Sequence, residues 1–279
     1  MNQQDGENPP ESEPDEDGED DIEASKAPLM EHLVELRQRL VRAIIAIAIA
    51  FVVCFYFADD IFNLLIIPYE RAAGEEREIR LIYTAPQEYF FTQMKLALFG
   101  ALFLAFPIIA NQIYKFVAPG LYKNERQVFL PYLVATPVLF TMGAALVYFI
   151  IMPLALGFFL SLEQGPGEGR AIIELLPKVN EYLSLIMTLL FAFGLVFQLP
   201  VVLTLLARAG IVDAEGLRRK RKYAVVMAFI GAAVLTPPDP ISQLGLAVPT
   251  LLLYELSIQA VRLVEKRRAM AQAKADAAA

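Results

Sequence analysis

Four long apolar segments constrain this 279-residue chain more than any other feature of its sequence. They run from about Leu40 to Phe57, Phe91 to Phe116, Val128 to Leu154 and Leu183 to Ala207. A helix needs about 20 mostly apolar residues to cross the ~30 Å hydrocarbon core of a bilayer, and these segments are close to or above that length. Because hydrophobic residues make up 57% of the composition, the sequence predicts a multi-span membrane protein rather than a soluble domain.

Two further apolar segments follow, from about Tyr223 to Leu235 and from about Ile241 to Leu263. The intervening Thr-Pro-Pro-Asp-Pro, residues 236–240, cannot be helical, because successive prolines remove backbone donors and clash with the preceding turn. A fifth helix of about 13 residues spans only ~20 Å, so it must end short of one interface or lie where the bilayer is locally thinned. The predicted fold is an all-α membrane protein with six transmembrane helices, of which the fifth and sixth are short.

Lysine and arginine are distributed unevenly between the two sides of such a bundle. With the N-terminus in the cytoplasm, 18 of the 24 basic residues lie on the cytoplasmic side and five on the other, with Lys95 near the start of the second span. This bias predicts a membrane protein with both termini cytoplasmic. No cleavable signal peptide is apparent, so the first span is expected to direct insertion. On the opposite side, Ile61 to Tyr69 and Ile172 to Leu185 are predicted to form short interfacial helices.

Acidic residues are concentrated at the start of the chain. Residues 1–31 contain twelve acidic residues and one lysine, a charge of −11, so the net charge of −7 leaves +4 for the remainder. Residues 1–28 have almost no apolar side chains to bury, and we expect a disordered acidic tail there. Residues 29–263 then form the membrane domain and residues 264–279 a cytoplasmic tail.

The residue inventory argues against catalysis. His32 is the only histidine and Cys54 the only cysteine, too few for a soft-ligand metal site or a histidine-assisted nucleophile. No glycine-rich phosphate loop is present. We therefore expect no enzyme activity, no metal or other cofactor and no nucleic-acid partner.

Two polar motifs are predicted to face the cytoplasm. His-Leu-Val-Glu-Leu-Arg-Gln-Arg-Leu, residues 32–40, places Glu35 and Arg39 at the favourable i, i+4 helix spacing, which by itself suits a salt-bridged anchor. In the loop after the second span, Pro119 and Gly120 end the helix. Glu125 lies at the start of the third helix, where a carboxylate interacts favourably with the helix dipole. Together Glu35 and Glu125 offer two carboxylates that could hold two guanidinium groups.

Other polar residues lie at two places, the break between the fifth and sixth spans and the interior of the fourth span. Thr236, Asp239 and Ser242 are suited to capping the sixth helix, with Pro240 in its first turn. Gln198 interrupts the fourth span, where we expect an interhelical hydrogen bond, for example to the carbonyl that Pro200 leaves without a donor.

Residues 32–40, Ala-Pro-Gly-Leu-Tyr-Lys-Asn-Glu-Arg at 118–126, and Leu-Thr-Pro-Pro-Asp at 235–239, in this order, resemble the TatC family of the twin-arginine protein translocase. The resemblance covers about residues 29–263. It implies a receptor that binds the twin-arginine signal peptides of folded proteins, assembles as a homo-oligomer with TatA-like and TatB-like single-span partners, and uses the proton-motive force through the whole complex.

The resemblance also assigns residues. Glu35 and Glu125 match the signal-binding carboxylates, and the same surface includes Arg37, Gln112, Phe116 and Arg126. Positions associated with partner contact or function are Thr236, Asp239, Gln243 and Gln198. Gln198 departs from the pattern, because many relatives carry a buried glutamate there. Arginine pairs bidentately with carboxylates as lysine cannot, which would explain selection of an arginine pair.

Two alternatives stay open at this point. A secondary transporter or channel for a small solute would need polar groups near the bilayer midplane, where Gln198 is the clear candidate. A structural scaffold would use its cytoplasmic motifs only to fix its topology.

Overall fold

The computed structural model of the protein describes residues 16–74, 77, 79–117, 126–165, 171–236 and 238–277. Over these ranges the regular structure is helical, with two isolated β-bridges between extended segments. The α-helices in chain order are α1 Glu16–Tyr56, α2 Ala58–Ala73, α3 Glu88–Val117, α4 Arg126–Leu146, α5 Met152–Ser161, α6 Val179–Val196, α7 Leu199–Arg208, α8 Ala214–Arg219, α9 Arg221–Leu235 and α10 Pro240–Asp276. A π-helical turn, Val147–Ile151, joins α4 to α5.

Five helical stretches within the described residues are long and apolar enough to cross a membrane, namely Leu33–Tyr56, Glu88–Phe116, Pro131–Ser161, Val179–Arg208 and Pro240–Met270. They correspond to the predicted spans one to four and six. The predicted fifth span is α9, whose 15 residues extend only ~22 Å. The all-helical membrane fold is therefore confirmed, whereas the count of six spans and the cytoplasmic position of the termini stay predictions.

The expectation that the sixth span is short is wrong. α10 has 37 residues and passes Pro249 without ending. It continues beyond Leu263 because the following residues are mainly alanine, arginine, lysine and methionine, which are strong helix formers. At the other end of the chain, α1 begins at Glu16, inside the stretch predicted to be a disordered tail. The proposed domain boundaries stay predictions.

The second predicted interfacial helix is only partly helical. α2 contains the first predicted one, Ile61–Tyr69, but residues 171–177 lie outside any helix and α6 starts at Val179. The backbone of Ile173 exchanges two hydrogen bonds with that of Gln164, at 2.9 and 3.1 Å. This pairing holds the segment extended, so the helical prediction is wrong up to Pro177.

The long helices pack antiparallel. Gln93 Nε2 of α3 donates to Asp59 Oδ1, just after α1, and further along α3 Gly100 contacts Cys54 of α1. The same opposite direction holds for α3 and α4, where the ring of Phe106 stacks on that of Phe140 and Tyr114 reaches Thr136. It holds again for α4 and α6, because Thr136 lies beside Gln198 whereas Gly143, further along α4, lies beside the earlier Phe193. The bundle therefore has two ends, which we call the Glu35 end and the Asp239 end.

Aromatic rings and glycines allow the middle of the bundle to pack closely. The ring of Phe140 lies 3.8 Å from that of Phe106, centroid to centroid, and is fully enclosed. Gly194 of α6 faces this ring and Gly143 of α4 faces the backbone of Phe193. Small residues at such crossings let membrane helices approach closely, so α4 and α6 form the firm centre that positions the surrounding helices.

The Asp239 end is covered by α2 and the extended segments. Arg77 and Glu163 form a two-pronged ion pair with N–O distances of 2.5 and 2.7 Å, and Glu163 Oε1 also accepts from the backbone N of Leu175 at 2.8 Å. Parallel pairing of Ile82 with Lys178 adds a second link. These contacts join the two loops that the sequence places on the same side of the membrane.

Candidate signal-binding surface and polar sites

Glu35 lies on α1, two residues into the apolar stretch that begins at Leu33. Nε of Arg39 donates to Glu35 Oε1 at 3.1 Å, and the terminal Nη2 contacts the same oxygen. The predicted i, i+4 pair is thus confirmed. The carboxylate of Glu35 remains 37% exposed while Arg39 is only 17% exposed, so the arginine holds the carboxylate at the surface. Arg37 is exposed nearby on the same helix.

The end of α3 reaches the same level as Glu35. Glu35 precedes Cys54 by 19 residues and Phe116 follows Gly100 by 16, which corresponds to about 28 and 24 Å of helix on either side of the Cys54–Gly100 contact. Phe116 is half-buried. Gln112, one turn earlier, is half-buried with its Oε1 lacking a hydrogen-bond partner among the described residues.

Arg126 is the first residue of α4, and Glu125 lies outside the described residues. Since Thr136 of α4 lies beside Tyr114 of α3, the start of α4 is at the Glu35 end. The structure therefore brings Glu35, Arg37, Gln112, Phe116 and the start of α4 to one end of the bundle.

Gln198 lies between α6 and α7 and is 6% exposed. Its Nε2 donates to the backbone O of Thr136 at 3.0 Å and to that of Gly194 at 3.4 Å. The expected interhelical hydrogen bond is confirmed, but the acceptors are not the carbonyl that Pro200 frees. The backbone O of Gly194 can accept this bond because its usual helical donor, the backbone N of Gln198, donates to Leu195 O instead.

The break between α9 and α10 lies at the opposite end. Asp239 is 4% exposed and its Oδ1 accepts from the backbone N of Ser242 at 2.7 Å, so it caps α10, whose first residue is Pro240. Thr236 belongs to the preceding helix, since its Oγ1 donates to Ala232 O at 2.9 Å. Gln243 is half-buried in the first turn of α10. Thr236, Asp239 and Gln243 are thus near one another but separate from the Glu35 surface.

The sequence did not single out Arg208. Its guanidinium lies over the ring of Tyr132, 5.2 Å from the centroid, and so links the end of α7 to α4. As a basic residue at the end of a span, Arg208 was explained by topology alone. Its partner is six residues into α4, and no local pattern reveals that pairing.

These features define a multi-span membrane protein with a charged surface at one end of the bundle and a capped helix break at the other. The family model for the Sec-independent protein translocase protein TatC matches residues 31–249. The TatC protein of Magnetococcus marinus is 47% identical to this chain over 257 residues, which cover 92% of each chain. The TatC protein of Escherichia coli is 40% identical over 231 residues, which cover 83% of this chain and 86% of that one.

A crystal structure of the twin-arginine translocase receptor TatC superposes with a TM-score of 0.71 at 38% identity, covering 84% of this chain and 99% of that one. A second TatC receptor structure, obtained in the detergent DDM, gives a TM-score of 0.70 at 40% identity and covers 81% and 97%. The chain belongs to the TatC family. The expectations of a TatC-like membrane protein and of a transport component rather than an enzyme are therefore confirmed.

Proposed function

We propose that this protein is the receptor and core subunit of a twin-arginine translocase, and that its Glu35 end binds the signal peptides of folded proteins. The observation that carries this proposal is the antiparallel packing of α1 and α3, which brings Glu35 level with Phe116 near the start of α4. Family membership and the similarity to TatC receptor structures support it. The positive-inside charge bias supports a cytoplasmic position for this end, where a signal peptide would arrive.

Glu35 and Glu125 are the carboxylates proposed to hold the two arginines. Each charge-assisted hydrogen bond contributes about 1.5–3 kcal/mol and less where water has access, which suits reversible binding. Arg39 already occupies Glu35 Oε1. A signal arginine must share or displace that contact, so Arg39 limits how strongly Glu35 binds and Glu125 is expected to contribute more.

Photocrosslinking of a twin-arginine peptide to membranes containing the protein tests these roles. Glu125→Ala should abolish crosslinking, and Glu35→Ala should reduce it less severely. Glu215→Ala is the matched control, because Glu215 pairs with Arg219 at the same i, i+4 spacing and is 82% exposed. Unchanged crosslinking in both the Glu35 and Glu125 variants, with normal membrane insertion, contradicts the assignment.

The helix break at the Asp239 end is proposed to contact TatA-like and TatB-like single-span partners, with this protein present in several copies. The half-buried amide of Gln243 beside the capped Asp239 offers a polar contact at the edge of an apolar helix. A photoreactive residue at position 243 should crosslink to such a partner when both are expressed together.

A small-solute transporter is less well supported. The mid-bundle polar groups Gln198, Thr136 and Tyr114 bond to one another or to backbone carbonyls in a packed site. Solute uptake by the purified protein in liposomes would favour a transporter, whereas export of folded cargo that requires single-span partners would favour the translocase. Export that survives combined substitution of Glu35 and Glu125 would favour the scaffold.

A further inference from the structure

A groove of about 570 Å³ opens between α4, α7 and α10 at the Glu35 end of the bundle. Its mouth is formed by Arg208 and Arg267 together with Tyr132, and its walls include Leu139, Val201 and Leu263. Both charged residues lie at one end of the lining, and the other lining residues are mainly apolar, with Thr204 and Gln259 as polar exceptions among them. We propose that this groove binds one anionic phospholipid, with the phosphate between the two arginines and an acyl chain along the walls.

The charge of the mouth argues for an anionic headgroup. Both charged side chains among the described residues of the groove are arginines. The Arg208 guanidinium lies over the ring of Tyr132, which holds it in place. Glu265, two residues before Arg267, accepts from the backbone N of Ala214 at 2.9 Å, so its carboxylate is engaged at α8. Arginine presents a planar fork of donors that matches a phosphate.

The depth of the groove matches one leaflet. Along α7, Arg208 and Pro200 are eight residues apart, and along α10 Arg267 and Gln259 are also eight apart, about 12 Å of helix in each case. One leaflet contributes about 15 Å of hydrocarbon. A headgroup at the arginines would therefore extend its chain towards the bilayer midplane within the groove.

The charge favours a lipid over a signal peptide. A twin-arginine peptide would bring further guanidinium groups next to Arg208 and Arg267, and like charges placed side by side are costly. An anionic phospholipid brings a phosphate to the same place. This inference is independent of the signal-binding role of Glu35 and Glu125.

The absence of tryptophan from the sequence allows a direct test. Leu263→Trp introduces a single indole at the groove, and Val226→Trp places one on the exposed side of α9, away from the groove. The full-length variants are reconstituted in phosphatidylcholine vesicles containing some phosphatidylglycerol, with bromine on the acyl chains of one lipid or the other. Bromine quenches the fluorescence of an adjacent indole.

We expect brominated phosphatidylglycerol to quench Leu263→Trp with at least about a fivefold preference over brominated phosphatidylcholine, since each basic residue near an anionic surface contributes about that factor. Val226→Trp should show no such preference. Adding Arg208→Gln and Arg267→Gln should remove the preference, whereas the two lysine substitutions should retain most of it.

Equal quenching by the two lipids in Leu263→Trp, or a preference that survives the glutamine substitutions, overturns the proposal. A single-span hydrophobic peptide that relieves the quenching would assign the groove to a helix instead and also overturns it. Native mass spectrometry of the chain without added tryptophan is a second readout. The Arg208→Gln/Arg267→Gln protein should lose a bound phosphatidylglycerol that an Arg218→Gln/Arg219→Gln control retains, and equal retention contradicts the site.

Discussion

At the scale of single residues, the ion pair between Arg77 and Glu163 ties the two loops of the Asp239 end together. Hydrogen bonds from the Arg77 guanidinium, and then from the backbone N of Leu175, lower the pKa of Glu163 from its usual 4.5 to about 2. A carboxyl whose pKa is lowered on folding stabilises the protein above its unfolded pKa. That contribution is lost as the pH falls from about 4.5 towards 2.

Glu163→Gln should therefore lower the thermal midpoint of the purified protein at neutral pH by about 2–4 °C, because the side chain is only partly shielded from water. The difference from the unmodified protein should shrink as the pH falls from about 5 towards 2. Glu181→Gln is the control, since Glu181 is 70% exposed and lies 3.9 Å from Lys178. A difference between Glu163→Gln and the unmodified protein that does not change with pH would show that charge is not the cause.

Residue-scale predictions from the sequence succeeded where the partners are local. The Glu35–Arg39 pair and the Asp239 cap both connect residues three or four apart on one helix. Gln198 shows the limit, because the sequence indicated an interhelical bond but not its acceptor, Thr136, 62 residues away. Arg77 and Glu163 are 86 residues apart, and nothing near either one in the sequence points to the other.

At the scale of helices, the close crossing of α4 and α6 requires glycine at position 143, because glycine has no side chain. A Cβ at Gly143 would lie 2.6 Å from the backbone O of Phe193 and 2.8 Å from its carbonyl carbon. Backbone atoms cannot rotate away as a flexible side chain can. Gly143→Ala should therefore separate the helices and destabilise the protein by about 1–3 kcal/mol.

Gly157→Ala is the matched control in the same apolar helical stretch, Pro131–Ser161, because a Cβ there would meet nothing within 4 Å. Alanine is also the better helix former by about 0.5–1 kcal/mol, so this variant should be neutral or slightly more stable. Denaturation of both variants in the same detergent tests the comparison. Equal stability of the two would show that α4 and α6 are not in close contact.

Helices were predictable where hydropathy alone decides them. All four long spans follow from apolar length, since a bilayer admits few other structures. The extended segment at 171–177 was mistaken for a helix because its local apolar pattern is the same in either case, and pairing with Gln164 decided the outcome. The length of α10 was underestimated because hydropathy marks the edge of the membrane, not the end of a helix.

At the scale of the whole molecule, α9 determines how many times the chain crosses the bilayer. With 15 residues it extends about 22 Å, less than the ~30 Å of hydrocarbon. Yet Arg221 at its start pairs with Glu255 of α10 at 2.6 Å, and its end leads directly into the Asp239 break. We therefore expect α9 to cross a thinned bilayer rather than return to the side on which it began.

Cysteine labelling in intact cells distinguishes five crossings from six. In a Cys54→Ala background, Leu162→Cys should react with an impermeant maleimide from outside, whereas Ile211→Cys should react only after permeabilisation. Both positions are exposed, at 57% and 70%, and lie at opposite ends of the bundle. If α9 and α10 both cross, Met270→Cys will behave like Ile211→Cys. If α9 does not cross, α10 carries Met270 to the outside, and that cysteine will react in intact cells.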